Sequence, residues 1–225
     1  MSDKIKRNDN KGIEITKPSY DKQAVVSTEG IEIRREGKPI SSEITRSGIL
    51  YLLIDCSGSM AGDKLDQAKR GAVNFTKEAK IKGYTVGLIK FHSYATHLCE
   101  PQREISVLSR YLEPIQVEGG TNMVDAFHLA FEKLRDKIGN RVVVLVTDGQ
   151  PTDGEPTPEE ATLREAYKIK KNGIDIITIG TDDADREFLR KIATRTDLAV
   201  MVSREKLEKG ITSTAKKLPM LPKGK

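Results

Sequence analysis

The chain has 225 residues, of which 37% are apolar and 32% are charged, and its net charge is +5. This composition can form one hydrophobic core beneath a charged surface, and it is too polar for a membrane protein. Residues 204–225, with seven Lys/Arg and two Glu, account for a charge of +5 on their own, so the remainder is close to neutral. Because this basic segment has no interleaved aromatic residues for base stacking, a nucleic-acid partner is not expected.

The N-terminal residues 1–46 are polar and irregular, apart from an alternating stretch at Ile31–Arg34 that predicts a short edge strand. They contain no apolar segment of signal-peptide length, and no apolar run in the chain is long enough to span a bilayer. A cytoplasmic location is therefore expected, and in that compartment the two widely spaced cysteines, Cys56 and Cys99, are expected to be reduced thiols. The predicted parts are an extension at 1–46, a domain at 47–217 and a basic tail at 218–225.

From Gly48 onward, strand and helix patterns alternate. Unbroken apolar runs are typical of strands buried on both faces, and apolar residues spaced three and four apart predict helices between them. The predicted strands are residues 49–54, 84–91, 94–100, 142–146, 174–179 and 198–202. The predicted helices are residues 63–82, 104–113, 122–138, 158–171, 183–194 and 204–217.

This alternation indicates a doubly wound, Rossmann-like α/β fold, with helices on both faces of a mainly parallel six-stranded sheet. A strand order of 3-2-1-4-5-6 makes the strands that end at Asp55 and Asp148 neighbours. The connection through His92 and Ser93 is too short for a parallel crossover. We therefore expect one antiparallel edge strand, near residues 94–100.

Ligands of doubly wound sheets bind beyond the carboxyl ends of the strands, where the winding reverses. There the sequence offers carboxylates and hydroxyls, which suit Mg²⁺ or Mn²⁺, and two adjacent carboxylates repel unless a positive charge lies between them. The candidate ligands are Asp55, Ser57, Ser59, Thr121 and Asp148. The same residue types are common helix caps and turn formers, so position alone leaves a purely structural role open.

Several nearby residues have a simpler interpretation. A zinc site would need His92, His97, Cys99 and Cys56, but their spacing is not a recurrent zinc pattern. Thr152-Asp153-Gly154 repeats the letters of Thr147-Asp148-Gly149 without following an apolar strand, which predicts a turn. The Cys56 thiol should point away from a hard cation. Asp63 and Asp125 are better explained by helix capping or surface exposure than by a role behind the ligands.

Three segments carry a family resemblance: Asp55-Cys56-Ser57-Gly58-Ser59-Met60, Gly119-Gly120-Thr121-Asn122 and Thr147-Asp148-Gly149. They resemble, in order and spacing, the motif segments of the von Willebrand factor A (VWA) domain family over about residues 47–217. The resemblance implies a metal-ion-dependent adhesion site with Asp55, Ser57, Ser59, Thr121 and Asp148 as ligands of Mg²⁺ or Mn²⁺.

The resemblance also implies a function. A VWA domain of this kind is expected to be a metal-dependent protein-interaction module, not an enzyme, in which an Asp or Glu of the partner completes the coordination of the cation. Stand-alone members resemble adaptors, and some of them work beside an AAA+ ATPase or stress-response proteins.

The alternative function is a Mg²⁺-dependent phosphohydrolase with Asp55 as nucleophile. Against it, Ser57 occupies the position where phosphoaspartyl enzymes carry a second acid, and the motif contains no lysine or histidine to assist a leaving group. A serine hydrolase lacks its G-x-S-x-G elbow here. A nucleotide-binding domain would need a glycine-rich phosphate loop, which is also missing from the sequence.

Overall fold

The computed structural model describes residues 24–27, 30–35, 38–39, 48–154 and 156–222. The chain divides into two compact units, Met1–Thr45 and Arg46–Lys225. In the first unit, β1 (Ala24–Ser27), β2 (Gly30–Arg35) and β3 (Lys38–Pro39) form an antiparallel sheet of order β1-β2-β3. The stretch predicted as an edge strand, Ile31–Arg34, is therefore the central strand of this small sheet, because partners lie on both sides of it in the sequence.

The second unit contains a six-stranded sheet of order β6-β5-β4-β7-β8-β9. All neighbouring strands are parallel except β5 and β6, which pair antiparallel through the short turn. This confirms the predicted doubly wound fold with order 3-2-1-4-5-6 and one antiparallel edge strand. The strands are β4 (Gly48–Asp55), β5 (Tyr84–Phe91), β6 (Ala95–Gln102), β7 (Asn140–Thr147), β8 (Asp175–Gly180) and β9 (Ala199–Met201).

Helices cover both faces of this sheet and bury their apolar stripes against it. They are α1 (Asp63–Ile81), α2 (Ile105–Leu112), α3 (Met123–Leu134), α4 (Pro158–Lys171), α5 (Arg186–Ile192) and α6 (Leu207–Thr214). Helices α1, α2 and α6 contribute to one apolar cluster, and α3, α4 and α5 contribute to another. Among the helices that the structure describes, none is both long and apolar enough to cross a membrane.

Several helix boundaries differ from the predicted ones: α5 and α6, for example, are shorter than predicted at both ends. Helix α3 ends at Leu134, four residues before the predicted end, and Ile138 is 62% exposed instead of lying on the apolar stripe. The chain has to turn back into β7 here, and Gly139 adopts a left-handed backbone conformation with φ of 99°. Asp63 is the first residue of α1 and not its cap, because Gly62 occupies the cap position.

A tyrosine spans three strands on one face of the sheet. Tyr51 of β4 pairs with Gly87 of β5, where any side chain would overlap the tyrosine ring. The Tyr51 hydroxyl therefore reaches β6, where it lies 3.1 Å from His97 Nε2 and donates a 3.0 Å hydrogen bond to Glu100. Lys133 of α3 donates to the other oxygen of Glu100 at 2.6 Å. Burial, aided by Glu100, raises the pKa of Tyr51, so the hydroxyl stays protonated.

The amino ends of the strands are closed by apolar packing. The Tyr84 ring fills the space beside Gly48, and the segment that follows α6 buries Leu218 and Leu221 in the core. The Leu221 backbone N–H also donates to the Lys82 carbonyl at 3.0 Å. The predicted domain end at residue 217 thus falls just before two leucines that belong to the core.

Candidate metal site

The first loop beyond the carboxyl ends of the strands follows β4. The carboxylate of Asp55, the last residue of β4, accepts a 2.8 Å hydrogen bond from the Ser57 backbone N–H. A 3-10 turn at Gly58–Met60 then reverses the chain, and the Ser57 and Ser59 hydroxyls lie 3.1 Å apart. Asp55 and Ser57 are buried and Ser59 is exposed, so this loop leads from the core to the solvent.

The second loop follows the neighbouring strand β7. The Thr147 hydroxyl donates to the free oxygen of Asp55 at 2.6 Å, and the Ser59 hydroxyl donates to Asp148 at 2.6 Å. Both aspartates are buried, and hydroxyl groups join them. The structure therefore brings four predicted ligands into one connected group: Asp55, Ser57, Ser59 and Asp148.

The third loop, residues 118–122, approaches the same edge of the sheet. The Gly58 N–H donates to the Gly119 carbonyl at 3.1 Å, which holds this loop against the first loop, the one that contains Ser57 and Ser59. Thr121 is buried, and its backbone N–H and carbonyl are both bonded to Thr152. The Thr121 hydroxyl makes no hydrogen bond to any residue that the structure describes. The fifth predicted ligand thus lies on an adjoining loop with an uncommitted hydroxyl, without a direct bond to the other four.

The environment of Asp55 is unfavourable for a bare carboxylate. Burial raises its pKa to about 6, against the opposing effect of the hydrogen bonds from Thr147 and Ser57, and the charge of Asp148 raises it further. Within residues 48–154 and 156–222, no lysine, arginine or histidine pairs with Asp55. A buried carboxylate without a cationic partner is a position where a bound cation would be stabilising.

Sequence reasoning missed one residue of this group, Lys64. It lies in the first turn of α1, and its ammonium donates to Asp148 at 2.5 Å and to Asp183 at 2.9 Å. Burial opposes the charge of Lys64, but the two carboxylates outweigh it and raise the pKa of the ammonium. The available signal was the position of Lys64, five residues after Ser59 at the start of a helix that leaves the same loop.

The donor set matches a hard divalent cation. The oxygens come from two carboxylates and three hydroxyls, without a thiol or an imidazole, and hard cations such as Mg²⁺ and Mn²⁺ take such ligands. Asp148 has Lys64 on one oxygen and Ser59 on the other, whereas Asp55 has only neutral donors. The residues present therefore fit a cation located between the Asp55 and Asp148 loops.

The alternative zinc set is not assembled. In the part of the chain that the structure describes, no three His, Cys, Asp or Glu side chains are placed to hold a metal ion. Cys56 is buried in the apolar cluster of α1, and burial raises the pKa of its thiol to about 12. Its side chain is thus directed into the core and not toward the candidate site, as predicted.

Two further polar residues organise the third loop. Asn122 caps α3 by accepting a 3.0 Å hydrogen bond from the Asp125 N–H, and its own N–H donates to the His92 carbonyl at 2.6 Å. The Asp125 carboxylate accepts a 2.6 Å hydrogen bond from the Ala95 N–H at the start of β6. Asp125 therefore anchors a strand and does not contact the predicted ligands.

Comparison with known proteins identifies the class of this domain. The family model of the von Willebrand factor type A domain matches residues 50–214, which is most of the chain. The chain therefore belongs to the VWA family, whose domains are metal-binding protein-interaction modules. This confirms the resemblance that the three motif segments indicated.

The curated relatives point to one kind of protein. The chain is 26% identical over 190 residues to the magnesium-chelatase 67 kDa subunit of Heliobacterium mobile, matching 77% of this chain and 28% of the relative. It is 27% identical over 135 residues to the protein of the same name from Chlorobaculum tepidum, matching 57% and 22%. The chain thus spans less than a third of the length of these relatives.

Solved structures share the fold at low sequence identity. The vWF domain of the type V pili tip protein Mfa5 from Porphyromonas gingivalis has a TM-score of 0.71 and 15% identity, covering 80% of this chain and 98% of that one. The proximal thread matrix protein 1 of the mussel byssus, solved with zinc in its metal-ion-dependent adhesion site (MIDAS) motif, has a TM-score of 0.64 and 20% identity. The match covers 80% of this chain and 49% of that one. At these identities the similarity establishes the fold alone.

Proposed function

We propose that this domain binds a divalent cation at the carboxyl ends of β4 and β7 and uses it to bind a protein partner. The ligands would be Asp55, Ser57, Ser59, Thr121 and Asp148, and the cation would be Mg²⁺ or Mn²⁺. The observation that carries the proposal is the pair of buried aspartates, Asp55 and Asp148, joined by serine and threonine hydroxyls. Among the residues that the structure describes, Asp55 has no cationic partner. The bound cation would supply a positive charge at the surface for a carboxylate of the partner.

The residues of the chain would have distinct roles in this process. Ser57 and Thr147 orient the Asp55 carboxylate through hydrogen bonds at 2.8 and 2.6 Å. Lys64 holds one oxygen of Asp148 and leaves the other directed at Ser59. Because Ser59 is exposed, the coordination sphere opens toward the solvent, where an Asp or Glu of a partner can complete it.

The partner class is part of the proposal. The curated relatives are named as magnesium-chelatase subunits, which supports an adaptor role beside an AAA+ ATPase. A stress-response partner is the other possibility that the family resemblance implies. We also propose a cytoplasmic location, since Cys56 and Cys99 are both free thiols.

Titration calorimetry with MgCl₂ and MnCl₂ tests the metal site directly. We expect saturable binding by the wild type. Removing a residue that only supports a metal ligand lowers metal affinity by roughly 10–100-fold, so Asp55→Ala, which removes a ligand, should lower the affinity by more than this. Asp66→Ala is the matched control, because Asp66 is an exposed aspartate on the neighbouring helix α1. Equal affinities for the wild type and Asp55→Ala would refute the ligand assignment.

The partner is tested by co-purification with a candidate AAA+ ATPase in Mg²⁺ and in EDTA. We expect the complex to form only with Mg²⁺, and to be lost when the contacting Asp or Glu of the ATPase is changed to Ala. A complex that persists in EDTA would contradict a metal-mediated contact.

Binding rather than catalysis is also testable. Lys64 brings an ammonium to Asp148, but two carboxylates already engage it. We expect purified protein with Mg²⁺ to show no turnover of p-nitrophenyl phosphate above the Asp148→Ala variant. Turnover that depends on Asp148 would support the phosphohydrolase instead.

A further inference from the structure

The second Thr-Asp-Gly stretch, residues 152–154, contacts the loop that carries Thr121. The Thr121 N–H donates to the Thr152 hydroxyl at 2.9 Å, and the Thr121 carbonyl accepts from the N–H groups of Thr152 at 2.9 Å and Asp153 at 3.3 Å. Both backbone polar groups of Thr121 are therefore bonded to this stretch. The sequence pattern predicted only a turn here, so these contacts require another explanation.

The contact extends to the residues beside Thr121. A side chain at Gly120 would overlap the Asp153 carboxylate, so Asp153 lies directly over the Gly120 backbone. The Gly120 N–H also donates to the Ser93 hydroxyl at 2.9 Å. The loop of Thr121 thus contacts both the β5–β6 turn and residues 152–153.

The position of Thr152 connects two of the proposed ligands. Thr152 follows Asp148 by four residues, and Pro151 between them is buried, so this short segment is attached to the end of β7. Its hydroxyl is the one side-chain atom of residues 152–154 that hydrogen-bonds to Thr121. The Asp148 segment and the Thr121 loop are therefore tied to each other.

We propose that Thr152 is a positioning residue of the metal site, and this inference rests on the proposed function. By fixing the Thr121 backbone, the Thr152 hydroxyl holds the uncommitted hydroxyl of Thr121 at a set distance from Asp148. Residues 152–153 form a clamp that couples the two loops before the cation binds. Thr152 itself does not contact the cation.

Three variants separate positioning from a general effect on stability. Thr152→Val removes the hydroxyl and keeps the shape, Thr152→Ser restores it, and Thr157→Val makes the same change in the same loop where the hydroxyl forms no capping hydrogen bond. Thr152 and Thr157 are both exposed, so all three variants should fold. Thr152→Val loses the hydrogen bond that the hydroxyl accepts from Thr121 and an exposed one that it donates to the Asp153 carboxylate at 3.2 Å. We therefore expect about threefold to tenfold weaker Mg²⁺ binding by Thr152→Val in calorimetry, and wild-type affinity for the other two variants.

Hydrogen exchange in EDTA tests the clamp without the metal. The Thr121 amide should exchange slowly in the wild type and in Thr152→Ser, and about threefold to tenfold faster in Thr152→Val. Equal Mg²⁺ affinities of Thr152→Val and Thr157→Val would overturn the positioning role while leaving the proposed function intact. Absence of cation binding by the wild type would overturn the proposed function and the positioning role together, even if the exchange result held.

Discussion

The two ends of the six-stranded sheet are built from different kinds of side chain. At the carboxyl ends, the core buries polar groups, among them Asp55, Thr147 and Asp148. At the amino ends, Leu218, Leu221 and the ring of Tyr84 close the core with apolar surface, and no charged group that the structure describes is buried with them. The same β-strands therefore end in a polar cluster on one side and in apolar packing on the other.

The difference is the one expected if the carboxyl ends of the strands hold the proposed metal site. Buried apolar groups at the amino ends stabilise the fold in proportion to the area removed from water. The carboxyl ends instead hold two buried aspartates, and only Asp148 has a lysine partner. A fold selected for stability alone would not retain this arrangement, and stability traded for a functional site is a common pattern.

Lys64→Met should give the largest change at the polar end. The lysine side chain is 7% exposed, and its loss leaves Asp148 buried without a cation, which costs about 3–5 kcal/mol of unfolding free energy in EDTA. Denaturant unfolding measures this, with the exposed Lys77→Met on the same helix as control. Saturating Mg²⁺ should restore part of the loss, and adding Asp148→Asn should recover stability in EDTA. A variant as stable as wild type in EDTA would show that Lys64 is not the counter-charge.

Leu221→Ala should destabilise the apolar end without affecting the site. Deleting a buried leucine side chain costs about 2–5 kcal/mol, whereas its neighbour Met220 is 62% exposed and Met220→Ala should be near neutral. Thermal or denaturant unfolding measures both variants, and calorimetry should find unchanged Mg²⁺ affinity. A coupled loss of cation binding in Leu221→Ala would show that the two ends are not independent.

Asp55→Asn should give the smallest change in stability, with a distinctive pH dependence. The folded pKa of about 6 lies above the usual value of 3.8, so the folded state binds the proton more tightly and wild-type stability falls as pH rises from about 4 to 6. In EDTA at pH 7.5, the variant should match or exceed the wild type by about 1–3 kcal/mol, and this difference should shrink toward pH 4. Unfolding curves across this pH range measure it; a difference that grows on acidification would contradict the raised pKa.

Much of the fold was predictable because its signals are local. The strand Tyr84–Phe91 and the helix Pro158–Lys171 have the predicted bounds, since apolar runs and a helix-ending Asn-Gly pair mark them in the sequence. The predicted end of α3 was wrong, because the apolar spacing in the sequence continues to Ile138, whereas the chain has already turned toward β7. Apolar periodicity therefore predicts that a helix is present more reliably than it predicts the residue at which tertiary structure ends the helix.

For the candidate site, the sequence indicated the proposed ligands but not the residues that contact them. Its five proposed ligands follow strand ends or lie in a recognisable motif, whereas Lys64 and Thr152 act through partners 84 and 31 residues away. Such contacts depend on which loops the fold brings together. The position of Lys64 close after Ser59 places it near the site, but it does not show that Asp148 is the partner of its ammonium. The residues that support a site are therefore harder to predict than those that form it.

The crossing of Tyr51 over Gly87 has a consequence for assembly of the sheet. A shift of β5 by one residue along β4 would replace the glycine with Val86 or Leu88 and would turn the alternate side chains to the opposite face. Neither residue leaves room for the ring, and the phenol would lose its partners on β6. Gly87 thus fixes the register of β5 against β4, because any other pairing would place a side chain where the Tyr51 ring lies. These are the strands that lead to Asp55 and His92.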